Sequence, residues 1–162
     1  VLSPDFNWIY LSPQVKNGRA HGNGNAISID GRYVIRNGYF ENGHLVQGSL
    51  VYPDGTHFSG TFRGGRLTEG KIIGSGRMNY AGSLERHIPQ GEGVLLMEDG
   101  SLYEGRFDRG LFDGKGVLRL PYGAEYRGTF RDGYPHGNVQ FSTEEIDEIR
   151  RYDMGVLSGE RR

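Results

Sequence analysis

A glycine recurs at Gly38, Gly60, Gly82, Gly105 and Gly128, at spacings of 22, 22, 23 and 23 residues. Self-similarity at such a period marks a repeat array, in which each unit buries its apolar surface against its neighbours. Companion columns keep the same phase. Two residues after each glycine stand Phe40, Phe62, Leu84, Phe107 and Phe130, and two residues before it stand Arg36, Phe58, Tyr80, Tyr103 and Tyr126. A further column holds Gly43, Gly65, His87, Gly110 and Gly133.

Each unit reads as a β-hairpin. In Tyr103-x-Gly105-x-Phe107 the named residues alternate with Glu104 and Arg106, so a strand here has one apolar and one solvated face. The glycine between two aromatic residues leaves a gap for a neighbouring ring. A turn follows, such as Asp108-Arg109-Gly110, and then a second strand such as Gly116-Val117-Leu118-Arg119-Leu120. Asp30-Gly31, Asp54-Gly55 and Asp99-Gly100 close the units, as expected of residues that tolerate positive φ in hairpin turns. With Gly at 28 of 162 residues and Ala at only 4, a mainly helical chain is excluded. The expected fold is all-β: an elongated single-layer antiparallel meander, about ten strands at ~4.8 Å and so roughly 45–50 Å long.

The pattern Tyr-x-Gly-x-Phe, a glycine three residues later, Gly-x-Gly and a closing glycine resembles the MORN (membrane occupation and recognition nexus) repeat family. The unit Tyr103, Gly105, Phe107, Gly110, Gly114, Gly116, Gly123 carries it nearly whole, and the resemblance spans about residues 11–141. It departs at Leu84 and His87, and at Gly48 and Gly70, which come one position late in 22-residue units. The first unit keeps only Gly18, His21-Gly22, Gly24 and Asp30-Gly31. A competing bacterial Tyr-Asp repeat finds a single match, at Asp30-Gly31-Arg32-Tyr33.

The ends differ from the middle. Phe6, Trp8 and Tyr10 alternate with Asn7 and Ile9, predicting a strand over the first edge. Residues 1–141 form the array, of about six repeats. Over 142–162, Ser142-Thr143-Glu144-Glu145 reads as a capping box, with Ile146 and Ile149 on one face and Arg150-Arg151 towards the end. That predicts a short C-terminal helix capping the sheet, or docking a partner. Val1 is not an initiator Met, so the chain reads as a fragment or a trimmed form, and the array as the non-catalytic module of a larger enzyme is one alternative. The N-terminus has no basic n-region and does not read as a signal peptide.

Chemistry is sparse. Lys plus Arg number 19 against 20 Asp plus Glu, which gives no basic field for nucleic acid. There is no Cys, hence no thiolate ligand or nucleophile. His21 and His136 share a position with Gln90 and Asp113, which marks a turn hydrogen-bonder rather than a ligand. His44, His57 and His87 fall in unrelated columns without metal spacing. Gly74-Ser75-Gly76-Arg77 and Gly91-Glu92-Gly93 follow the repeat phase, and no Gly-Lys-Ser/Thr follows a strand. No catalysis, metal or cofactor is expected.

The resemblance implies a groove that receives a partner segment, and links to membranes and cytoskeleton. The leading expectation is therefore a cytoplasmic protein-interaction scaffold, associated with cytoskeleton or membrane surface. A peptide or helix would bind at Tyr80, Tyr103, Tyr126, Phe58, Phe62, Phe107 and Phe130 on the aromatic face. The alternative is acidic-phospholipid binding by Arg127, Arg131, Arg150 and Arg151, although the solvated column Glu41, Arg63, Glu85, Asp108, Arg131 is mixed in sign. An imperfectly covered sheet edge also predicts a homodimer.

Overall fold

The structure is a computed structural model that describes residues 8–11, 14–74 and 79–158. Phe6 and Asn7 of the expected first strand, and Ser75, Gly76 and Arg77, lie outside the described residues. The strands are β1 (Trp8–Tyr10), β2 (Val15–Lys16), β3 (Arg19–Ala20), β4 (Gly22–Ser28), β5 (Val34–Glu41), β6 (His44–Val51), β7 (His57–Arg63) and β8 (Arg66–Ile73). They continue as β9 (Asn79–Glu85), β10 (Ile88–Leu96), β11 (Leu102–Asp108), β12 (Leu111–Arg119), β13 (Glu125–Arg131), β14 (Tyr134–Ser142), β15 (Asp147–Asp153) and β16 (Val156–Leu157). β1 and β4 to β16 form an antiparallel meander of 14 strands in chain order, and β2 and β3 form a separate small hairpin. As expected, Trp8–Tyr10 covers β4, with Ile9 opposite Ile27. The chain divides into two compact units. One holds β1 to β8 with Leu84–His87, and the other holds residues 79–83 with β10 to β16.

Two kinds of turn alternate. At Asn42-Gly43, Arg109-Gly110, Asp132-Gly133 and their equivalents both residues have positive φ, +47° to +54° and then +69° to +91°, the type I′ geometry that suits a two-residue hairpin. His87 takes this conformation at φ +69° without being glycine, its ring edge-on to Phe58 at 5.2 Å. The Asp-Gly sites are different: Asp54-Gly55 and Asp99-Gly100 lie in five-residue loops and Asp30-Gly31 in a six-residue one, and in each only glycine turns left-handed. Gly100 N–H donates to Met97 O, and the Asp99 carboxylate accepts the backbone N–H and the hydroxyl of Ser101. The expected paired positive φ at Asp-Gly is therefore corrected. Asp accepts hydrogen bonds here, and glycine alone supplies the conformation.

The late glycines also find their place. Gly48 pairs with Gly60, and Gly60 with Gly70, just as Gly93 pairs with Gly105 and Gly105 with Gly116. Between Gly70 and Leu67 the second strand bulges by one residue, whereas between Gly116 and Phe112 it bulges by two. That difference accounts for units of 22 against 23 residues. Neighbouring repeats are stitched at the tight turns, where Gly43, Gly110, Gly133 and Gly155 donate N–H to Ala20, Pro89, Phe112 and Pro135 carbonyls, each at 2.9 Å.

The C-terminal helix is absent among the described residues. Thr143 Oγ1 does accept the N–H groups of Glu145 and Ile146, as a capping residue would, but Thr143 N–H donates to Ile146 O and the chain reverses. It then runs back as β15 along β14, with Ile149 opposite Gln140 and Tyr152 opposite Gly137. Residues 148–155 are a worn copy of the repeat: Tyr152 stands 22 residues after Phe130, and Gly155 stands 22 after Gly133. Arg150 replaces the column glycine, which hid the phase.

Candidate functional site

The Tyr-x-Gly pair is a seat for its own ring. Tyr103 is fully buried, and its hydroxyl donates to Arg106 O at 3.0 Å. A Cβ built on Gly116 would stand 2.3 Å from that hydroxyl, and one on Gly105 2.8 Å from it. Tyr80 repeats the arrangement, donating to Ser83 O at 2.6 Å over Gly82 and Gly93. The glycine gap thus holds the unit's own tyrosine rather than a neighbour's ring. Burial raises the Tyr80 phenol to about 12 and pushes Tyr103 well above the ordinary range. The ring is then clasped by its own unit and the next: Phe112 of the same unit stacks on Tyr103 at 3.7 Å, and Phe107 of the same unit and Phe130 of the following one meet it edge-on at 5.2 Å.

The residues expected to bind a partner are accordingly distributed unevenly. Tyr80, Tyr103, Phe62, Phe107 and Phe130 are buried, with 4% or less of each exposed, and no partner reaches them without unpacking the core. Phe58 and Tyr126 are half-buried. Tyr126 lacks the second glycine of its seat: Val139 stands there, fully buried against Gly128, and the ring leans on Phe141 at 5.0 Å and Tyr152 at 5.9 Å.

The four arginines expected to form a lipid patch do not share one face. Arg127 donates to Glu125 at 2.7 Å. Arg150 donates to Glu148 at 2.6 Å and lies 3.8 Å over the Phe141 ring. By register, Arg127, Arg131 and Arg151 share the polar face, while Arg150 stands on the aromatic one. Of the residues sharing the position of His21, Gln90, Asp113 and His136, Gln90 serves a turn, donating to Asp108 at 3.0 Å and accepting the Arg109 N–H at 2.8 Å, whereas Nδ1 of His21 and of His136 is buried without a hydrogen-bond partner among the described residues. At the same place His136 Nδ1 lies 3.6 Å from Asp153. Among the described residues no cluster of three or more metal-ligating side chains occurs.

A groove opens on the polar face of the second unit. Gly93, Gly105, Gly116 and Gly128 pair in a row across β10 to β13. Their side-chain direction is filled from the aromatic side, by Tyr80 at Gly93, by Tyr103 at Gly105 and Gly116 and by Val139 at Gly128, so the opposite side is bare backbone. The trough measures about 830 Å³. One wall is the paired row Val94, Glu104, Val117, Arg127, and the other carries Glu92 and Lys115. Arg119 ties the first wall down, with Nη1 3.4 Å from Glu104 and Nε donating to Glu125 at 3.0 Å. Sequence reasoning placed Glu104 among solvated residues and did not single out Val94 and Val117. Aligning the glycine columns as cross-strand partners is the signal that brings these residues together.

Glycine-registered hairpins that offer a backbone-floored groove define a β-repeat binding module. The sequence model of the MORN repeat matches residues 14–31, 37–57, 80–102, 103–123 and 126–138, more than half of the chain. The chain belongs to the MORN repeat family, whose repeats serve as protein- and membrane-binding modules. No curated protein matches it. The β7–β8 hairpin and the β14–β15 pair lie mostly outside the matched segments yet continue the same register.

Proposed function

We propose that the chain is a non-catalytic interaction scaffold that takes an extended segment of a protein partner in the polar-face groove of its second unit. The glycine row carries this reading: four adjacent strands present bare main chain between an apolar-and-charged wall and a charged one. Three strand gaps span about 14 Å, which is room for four or five extended residues. Val94 and Val117 favour small apolar side chains on the segment. Glu92 and Glu104 favour a base towards β10 and β11, and Lys115 favours an acid towards β12.

Affinity capture from native lysate, with partners identified by mass spectrometry, tests this against Val94→Lys/Val117→Lys, which fills the groove from exposed or half-buried positions. A stoichiometric partner that the variant loses, while its circular dichroism is unchanged, is the expected result. A partner retained by the variant removes the groove from the argument. Binding to anionic liposomes with no protein partner would replace this reading with the lipid one.

A further inference from the structure

Among the described residues the last full strand has an open edge. β14 covers one side of β15, but β16 reaches only Tyr152 and Asp153, with one further bond from Ser158 N–H to Arg151 O at 2.7 Å. That bond shows that the Arg151 carbonyl points away from β14. By the two-residue period of a strand, the N–H and C=O groups of Ile149 and Asp147 point the same way, and among the described residues no strand pairs with them. Ile149, at the centre of this edge, is 75% exposed, the most exposed aliphatic side chain among the described residues.

The charges around Ile149 are arranged head to tail: Asp147-Glu148-Ile149-Arg150-Arg151. We infer that this edge pairs antiparallel with the same edge of a second copy, about a two-fold axis through Ile149. In that register Ile149 faces Ile149, Glu148 faces Arg150 and Asp147 faces Arg151, each charged pair occurring twice. Slipping one copy by two residues sets Glu148 on Glu148 or Arg150 on Arg150. Slipping by one puts outward-pointing groups opposite inward-pointing ones. Cross-strand charge therefore selects a single register. The contact is isologous and closes at two copies, which keeps an exposed edge from growing into a fibre. The incoming strand displaces Ser158 from Arg151 and returns a backbone bond in its place. This edge is independent of the groove, and the inference does not rest on the proposed partner segment.

Sedimentation equilibrium of the full chain, up to about 1 mM because a strand-edge contact is far below the ~1,200–2,000 Å² of a standard interface, is the test. Reversible dimerisation that weakens with added salt is expected. Asp147→Arg and Arg151→Asp each place like charges opposite one another, so each alone should dimerise about tenfold more weakly or less still. An equal mixture of the two restores opposite pairs and should recover the dimer. Ile149→Pro removes an outward N–H without touching the β14 ladder, and should abolish pairing with the fold intact. A wild-type chain that stays monomeric throughout, or charge variants that dimerise like wild type, would overturn the inference.

Discussion

A single tyrosine shows why this sequence tolerates so little at its column positions. The Tyr103 ring is held by Phe112, Phe107 and Phe130, its hydroxyl is bonded to Arg106 O, and its seat exists because residues 105 and 116 carry no side chain. Gly116→Ala should therefore force the ring out of place and destabilise the protein by about 1–3 kcal/mol in urea unfolding. Tyr103→Ser empties the seat and should cost more, about 3–5 kcal/mol. Neither variant can report on partner binding until its fold is verified. The buried phenols also set an alkaline limit. Tyr80 titrates near 12 in the folded protein and near 10 when unfolded, so at high pH the unfolded chain has released the proton that the folded chain keeps. Stability should be unaffected by this group below pH ~10 and fall as pH rises from there towards 12, a fall that Tyr80→Phe should lessen.

At the scale of the hairpin, the C-terminal reversal rests on Thr143, whose Oγ1 accepts two backbone N–H groups at 3.2 and 3.1 Å. Thr143→Ala should cost about 0.5–1.5 kcal/mol of stability, with a far-ultraviolet circular dichroism spectrum that keeps its sheet form and shows no helical double minimum in either protein. The same reversal shows what was legible in the chain. Strands, hairpins, their order and the all-β class follow from the glycine and aromatic columns, because those columns record the two-residue period and the close approach of neighbouring strands. The helix expectation failed because Ser142-Thr143-Glu144-Glu145 has the side chains of both a helix start and a turn, and local hydrogen bonds are the same in either. Pairing of β15 with β14 decided between them, and that contact was masked once Arg150 replaced the column glycine. The site was less legible. Which aromatic residues are buried depends on the ring finding its own glycines, and the groove depends on residues from four strands brought level by register. Composition and spacing within one strand carry neither.

Across the whole molecule, each strand of the large sheet hydrogen-bonds to the strands before and after it in sequence, apart from the step from β1 to β4. Among the described residues, therefore, no pairing has to wait for a distant segment, and the loops to be closed are short. Stopped-flow refolding should fall at the fast end of the all-β range, about milliseconds, whereas a main phase of seconds would show that folding is limited by something other than strand pairing.

The bulge opposite Arg106 and its one-residue counterpart at Thr68 have a consequence for how such a chain changes over generations. An inserted or deleted residue in a sheet would ordinarily turn every following side chain over to the wrong face. Here the second strand of a repeat holds either one or two extra residues, and Leu67 and Phe112 still arrive opposite Phe62 and Phe107. Each repeat thus contains its own expansion joint, and copies can drift in length without the error passing to the next.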